Sequence, residues 1–412
     1  LASWQVFAGA PDPGAPLSNQ TDEPPAERVA RGKIFDRNGF TLAQDIWGYE
    51  ISASPSGMGN EAHRRKYAEQ LALLLERPTA QVWEKLSDPK TNFVILDPAA
   101  SLQKGDRVEA RGIPGIAVRP VPIRVYPAAS LAAQTLGFVN LANRGWYGVE
   151  EEYHPWLNGN VNGCSVENPA PTARLTIGVR EMIPTSRRCD VVLTLDWAVQ
   201  EMVERELAAG IERTKAAGGT VIVVDPRTGA ILAMASVPTF DLNRYNEANA
   251  TLYVNPAISA SYEPGSVMKI MTMAAALDSG QFQPTSTMVD TGEIIVGGNR
   301  IQDWDKKPHG RVSMTDILAQ SLNVGAAYLS ISIGAERFYD YLARFGFGQR
   351  TGVDLANEVS GQYRTPANLT WHISDLGTNA FGQGMSATPL QVVMAASAVA
   401  NGGVLMRPYI VD

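Results

Sequence analysis

The chain has 412 residues, 45% of them hydrophobic and 19% charged, with a formal net charge of −7. That length exceeds one ordinary domain and points to two or three, with apolar content sufficient for sizeable cores. The acidic balance, without a Lys- or Arg-rich face, argues against a nucleic-acid partner, and His63, His154, His309 and His372 share no metal-ligand spacing with Cys164 or Cys189, so no metal or organic cofactor is expected.

In chain order, Leu1 to Ala10 is apolar but about half the length of a membrane span, so it is either the outer end of an upstream anchor or a strand. Residues 11 to 30, rich in Pro, Ala, Asp and Glu, read as a lead-in. From 31 to about 190 short strands, turns and two modest helices are expected, without a catalytic cluster. Asp36-Arg37-Asn38-Gly39 signals a hairpin turn, Ala62 to Leu75 has helical periodicity, and Thr79 to Ser87 continues as a second helix. Cys164 and Cys189 permit one disulfide across a Pro-, Thr- and Arg-bearing insert, worth roughly 3 kcal/mol in chain entropy if unstrained; two free thiols are the alternative. A second domain is expected from Val191. Asp196 caps a helix running to about Ala216, with Glu201, Glu204 and Glu206 outward and Val199, Met202 and Leu207 inward. Strands Thr220 to Val224 and Ala230 to Ala235 follow, joined by an Asp-Pro-Arg-Thr-Gly turn.

Ser266-Val267-Met268-Lys269 places a hydroxyl and an amine three residues apart, which on a helix makes them neighbours. A lysine held neutral by burial can take the serine proton, so the pair can act as nucleophile and base without histidine. The spacing alone is not decisive, because Ser87-x-x-Lys90 and Ser101-x-x-Lys104 share it and a serine and lysine can simply begin a core helix. Pro264-Gly265 ahead suits a helix start whose free N–H groups favour developing negative charge, and Ile270 to Leu277 reads as a buried helix. After a β-rich excursion around Asp290 to Gln302, an amphipathic helix from Ser313 to Gln320 leads into Ser321-Leu322-Asn323. In an extended turn Ser321 and Asn323 face one cleft while Leu322 packs inward, supplying a proton relay and a carboxamide; a polar turn capping the next helix is the alternative. Asp303 and Trp304 precede that helix, with Trp304 either packing or reaching the cleft rim, and Gln383 either faces the site or makes a tight turn between glycines.

With these elements the chain resembles the penicilloyl serine transferases, specifically the class B penicillin-binding proteins. Arg31-Gly32-Lys33-Ile34-Phe35-Asp36-Arg37-Asn38-Gly39 and Arg144 to Glu151 are similar to the family's pedestal motifs. Asp225 to Ser236 resembles the first hairpin of its transpeptidase domain, and Phe381-Gly382-Gln383-Gly384, Thr388-Pro389-Leu390-Gln391 and Ala400-Asn401-Gly402-Gly403 its late helical region. The resemblance implies an α+β fold: a lead-in at 1–30, a β-rich non-catalytic pedestal at 31–190, and a serine β-lactamase-like transpeptidase domain at 191–412 with helices on an antiparallel sheet. It implies a D,D-transpeptidase using Ser266, Lys269, Ser321 and Asn323, with Trp304 and Gln383 as substrate-binding candidates. Peptidoglycan stem peptides and β-lactams are the implied ligands and a polytopic glycan polymerase the implied partner. A catalytically silent penicillin-binding scaffold or sensor is the other reading.

The family's third motif, Lys-Thr-Gly, does not occur before Asp412. Arg227-Thr228-Gly229 and Arg350-Thr351-Gly352 come too early, the first as a hairpin turn and the second as a structural element. With Leu1 in place of methionine, both ends are expected to be cut from a longer reading frame, the transpeptidase domain being incomplete. The resemblance further implies one N-terminal membrane anchor upstream of residue 1 and work on the outer face of a bacterial membrane, and no glycosyltransferase module is evident in residues 1 to 190.

Overall fold

A computed structural model of the chain describes residues 5–6, 30–159 and 189–412. Most of the lead-in, and Cys164 with the pairing to Cys189 expected for it, lie outside the described residues. The chain divides into two compact units: Pro11–Leu193 with Phe240–Ala250, and Leu1–Ala10 with Thr194–Thr239 and Thr251–Asp412.

In the first unit the long strand Thr41–Ala53 is central. It pairs antiparallel with Ile116–Val125, Gln44 opposite Val125 through Ala53 opposite Ile116, and also with Val94–Ala100. Ile34–Phe35 joins its start through the Asp36–Gly39 turn and pairs in parallel with Val191–Val192. Asp36 holds that turn by accepting from the Asn38 and Phe40 N–H groups, and Gly39 supplies the φ of +86° it needs. The helix Glu61–Leu75 starts where Asn60 accepts the His63 N–H and buries Ala68, Leu71, Ala72 and Leu75 on one face. Burying each leucine there contributes roughly 1.5–3 kcal/mol. A further helix, Leu102–Glu109, follows Thr79–Leu86 and was not apparent from periodicity; Ser101 is its N-cap, accepting from the Lys104 N–H, while Lys104 Nζ donates to Leu75 O. That disposes of Ser101-x-x-Lys104 as chemistry.

The two pedestal motifs meet in a buried charge cluster. Arg31 donates to Glu150 at 2.7 Å, Arg124 bridges Glu150 at 2.7 Å and Asp45 at 3.0 Å, and the Tyr126 hydroxyl also donates to Glu150. Burial alone would raise the Glu150 carboxyl, but the two guanidinium groups outweigh it and hold its pKa below the ordinary carboxylate value.

The second unit is built on the antiparallel hairpin Gly219–Val224 and Ile231–Val237, turned by Asp225 to Gly229. The helix Trp197–Thr214 lies on it with Asp196 as N-cap. Its buried centre is polar: Gln200 accepts from the Met234 N–H and donates to Met234 O and to Glu204. Met202, expected inward, is 52% exposed because 200° of helical turn separates it from Gln200. Glu204, expected outward, is half-buried for the complementary reason. Gln5–Val6 forms a short strand with Ala260–Ser261.

Helices carry the rest of this core. Met268, Met271 and Ala275 of Met268–Asp278 pack with Leu322, Ala326 and Leu329 around Asn323–Ile333, and with Phe338, Leu376 and Ala395 from later helices. Short hairpins, Thr287–Asp290 with Gly310–Ser313 and Glu293–Val296 with Asn299–Gln302, fill the stretch expected to be β-rich. The Thr388-Pro-Leu-Gln391 motif is a capping box on Pro389–Ala400, and Gln391 also donates to Gly346 O and Gln349 O. In Arg350-Thr351-Gly352 the Thr351 and Gly352 N–H groups are pinned by Glu358, a structural role. No helix among the described residues is long and apolar enough to cross a membrane.

Candidate active site

Ser266 sits in a single 3-10 turn, Gly265–Val267, that runs directly into the helix Met268–Asp278. Gly265 makes this entry with a φ of +65°, and its N–H donates to Gly382 O. Gly382 lies so close that a Cβ there would fall 2.3 Å from the Gly265 carbonyl oxygen. The Phe381–Gly384 stretch therefore braces the Ser266 turn, and Glu263 reinforces it by accepting the Gly384 N–H at 2.9 Å.

Lys269, one helical turn on and only 3% exposed, reaches four oxygens. Its Nζ lies 3.2 Å from Ser266 Oγ, 3.0 Å from Ser321 Oγ, 2.6 Å from Ser321 O and 2.8 Å from Asn323 Oδ1. The last two can only accept, because Asn323 Nδ2 donates to Gln302 O and so fixes the amide. In its neutral form the amine has two N–H bonds to satisfy those acceptors, which leaves its lone pair for the hydroxyls. Burial pushes Lys269 down to about 8, and an ionised Asp303 would pull the other way. Ser321 Oγ and Ser266 Oγ are 2.9 Å apart, completing a connected set of hydroxyls and amine.

The Ser321 turn differs from the extended one expected. Helix Met314–Ala319, capped by Ser313 and Asp316, ends at Gln320, and Ser321 takes a φ of +56° before Leu322 turns inward with no exposed surface. That left-handed residue, which costs about 1–2 kcal/mol away from glycine, aims both Ser321 Oγ and its carbonyl at Lys269. Asn323 opens the next helix, whose second N–H, on Val324, donates to Asp303 Oδ1 at 3.1 Å.

A cavity of about 580 Å³ opens over these groups, lined by Gly265, Ser266, Trp304, Gln320, Ser321, Asn323, Phe381 and Gln383, with His309 and Ala319. Trp304 is 71% exposed, so it stands at the rim and is not a packing residue; its indole N–H donates to Gln320 O. Gln383 is exposed at the same hollow and its N–H donates to Thr378 O, so it both makes the turn and faces the cavity. His309 joins the lining without any sequence signal for it. It lies beside Asp305, whose carboxylate raises its pKa, and no spacing in the sequence links it to Ser266. A larger open hollow of about 1000 Å³ around Tyr363 and Arg364 has no lysine or histidine in its lining.

A Ser-x-x-Lys helix closed by a Ser-x-Asn turn, on a body of helices against an antiparallel hairpin, defines a domain of the penicillin-binding type. Residues 219–412 match the penicillin binding protein transpeptidase domain, and residues 26–167 match the penicillin-binding protein dimerisation domain. Stage V sporulation protein D of Bacillus subtilis is 32% identical over 92% of this chain and 59% of its own length. Peptidoglycan D,D-transpeptidase FtsI of Escherichia coli is 28% identical over 91% of the chain and 63% of its length, and penicillin-binding protein PbpB of Mycobacterium tuberculosis 31% over 95% and 59%. The chain thus spans about three fifths of these curated relatives. Among solved structures, penicillin-binding protein PBP2 from Helicobacter pylori shares the fold with a TM-score of 0.75 at 22% identity, covering 93% of this chain and 79% of that one. A peptidoglycan synthetase from Bifidobacterium adolescentis matches with a TM-score of 0.65 at 25% identity over 93% and 74%. The chain belongs to the class B penicillin-binding proteins.

Proposed function

We propose that this protein is a peptidoglycan D,D-transpeptidase that works through a Ser266 acyl-enzyme. The observation that carries the reading is the position of Lys269 Nζ, in hydrogen-bond reach of Ser266 Oγ, Ser321 Oγ and Asn323 Oδ1 at once. Lys269 takes the Ser266 proton as Oγ attacks the carbonyl carbon between the two terminal D-alanines of a stem peptide. The C–N bond breaks, and the proton passes from Lys269 through Ser321 Oγ to the departing D-alanine nitrogen. An amine of a neighbouring stem then attacks the ester, gives up its proton to Lys269, and Ser266 leaves reprotonated with the cross-link formed. N–H groups at the turn before the helix favour the oxyanion, and Trp304 and Gln383 flank the stem peptide at the cavity mouth. β-Lactams acylate the same serine.

The names of the relatives, a peptidoglycan D,D-transpeptidase among them, support a place in cell-wall synthesis. With that substrate we assign the protein to the outer face of the cytoplasmic membrane, anchored there and paired with a polytopic glycan polymerase. Labelling of the full chain with a fluorescent penicillin, beside Ser266→Ala, tests the reading. A persistent label lost in the variant supports it, a label that clears within seconds indicates a hydrolase, and an unlabelled wild type leaves a scaffold.

A further inference from the structure

Behind Lys269 lie two carboxyl groups to which the mechanism above gives no task. Asp290 ends the strand Thr287–Asp290 and Asp303 follows the strand Asn299–Gln302; their exposures are 1% and 2%. Each has one satisfied oxygen. Asp290 Oδ1 accepts the Gly292 N–H at 2.6 Å, and Asp303 Oδ1 accepts the Val324 N–H. Each has one orphan: Asp290 Oδ2 and Asp303 Oδ2 are buried with no donor among the described residues. The two side chains face one another at hydrogen-bond range. Two ionised carboxylates in such contact, away from water, repel and leave both oxygens unsatisfied; a single proton between them cures both defects.

We propose that Asp290 and Asp303 hold one proton between them, carried on Asp303, and that this neutral acid enlarges the share of Lys269 present as free amine beside Ser266. The donor is Asp303 Oδ2–H and the acceptor Asp290 Oδ2, so each orphan oxygen gains a partner. Burial raises the Asp303 pKa first; the Val324 and Asn323 N–H groups draw it back, contact with Asp290 raises it further, and the net direction is upward. The charged groups acting on the pair are Lys269, on which Asp303 would exert an upward pull if ionised, and His309, which feels both carboxyl groups. Asp303 is thus a positioning residue: it holds the start of the Asn323 helix by its Oδ1 while withholding its charge from the amine.

The proposal deepens the acyl-enzyme reading of the same site, and two measurements separate their fates. The first is the rate of acylation by a fluorescent penicillin against pH. Asp303→Asn copies the neutral acid, its amide donating to Asp290 and its carbonyl accepting from Val324, and is expected to keep the wild-type profile. Asp290→Asn supplies a donor to Asp303 and so ionises it; the acid limb is expected to move up by about one pH unit, slowing neutral-pH labelling about tenfold and recovering in alkali. An unmoved profile in Asp290→Asn, or an acid limb shifted downward in Asp303→Asn, overturns the proposal. The second measurement needs no activity: infrared difference spectra, wild type minus Asp303→Asn, are expected to show a protonated-carboxyl stretch at neutral pH. Its absence also overturns the proposal, whereas an unlabelled wild type that retains this band sinks only the acyl-enzyme reading.

Discussion

With its amine near 8, Lys269 is about one-tenth neutral at pH 7, and its fraction of free base grows as pH rises through 8. The sign follows from the role: a base must be unprotonated, so acylation is expected to climb on the alkaline side and fall in acid, measured as labelling rate against pH. Lys269→Arg keeps a cation and its donors but cannot be deprotonated at any accessible pH. It is expected to lower acylation by about a thousandfold across the whole range, with little change in melting temperature. A merely structural lysine would tolerate that exchange far better.

At the scale of elements, the site depends on two glycines touching. Gly382→Ala adds a methyl that would stand 2.3 Å from the Gly265 carbonyl, at a φ of +76° that alanine disfavours. The Ser266 turn must shift, and the expected result is a loss of about 2–4 kcal/mol in stability, read by denaturant unfolding, with labelling slowed about tenfold or more. Much of this element-level design was legible. Ser266 and Lys269 are one turn apart in one helix, so local geometry alone brings them together, and Asn-Gly and Asp-Pro-Arg-Thr-Gly turns announce themselves by residue type. Distance in sequence hides the rest. Asp290 and Asp303 belong to different hairpins, and nothing local says that both are buried or that they meet. Serine rarely adopts a left-handed backbone, so residue type gives no sign of the turn at Ser321. Apolar periodicity puts Met202 on the inner face, but a polar residue, Gln200, is the anchor of its helix, and periodicity counts only apolar ones.

For the molecule as a whole, the Arg31–Glu150–Arg124 cluster ties the start of the pedestal motifs to their end, and its energetics are asymmetric. Glu150→Ala leaves two guanidinium groups buried without their shared partner, so a loss of about 3–5 kcal/mol is expected by thermal or denaturant unfolding. Because the Glu150 pKa is depressed in the folded state, its contribution is present above the ordinary carboxylate pKa and is lost as pH falls through the folded value. The division of the chain carries a practical corollary. Phe240–Ala250 groups with the first unit although residues on either side belong to the second, and there Tyr245 stacks on Phe138 at 4.3 Å while Phe240 meets the same ring edge-on. Anyone excising the half that carries the transpeptidase-domain match by starting expression at Thr194 would strip those rings of their lid and leave a sticky aromatic loop in water, a recipe for inclusion bodies that clipping or redesigning 240–250 should relieve.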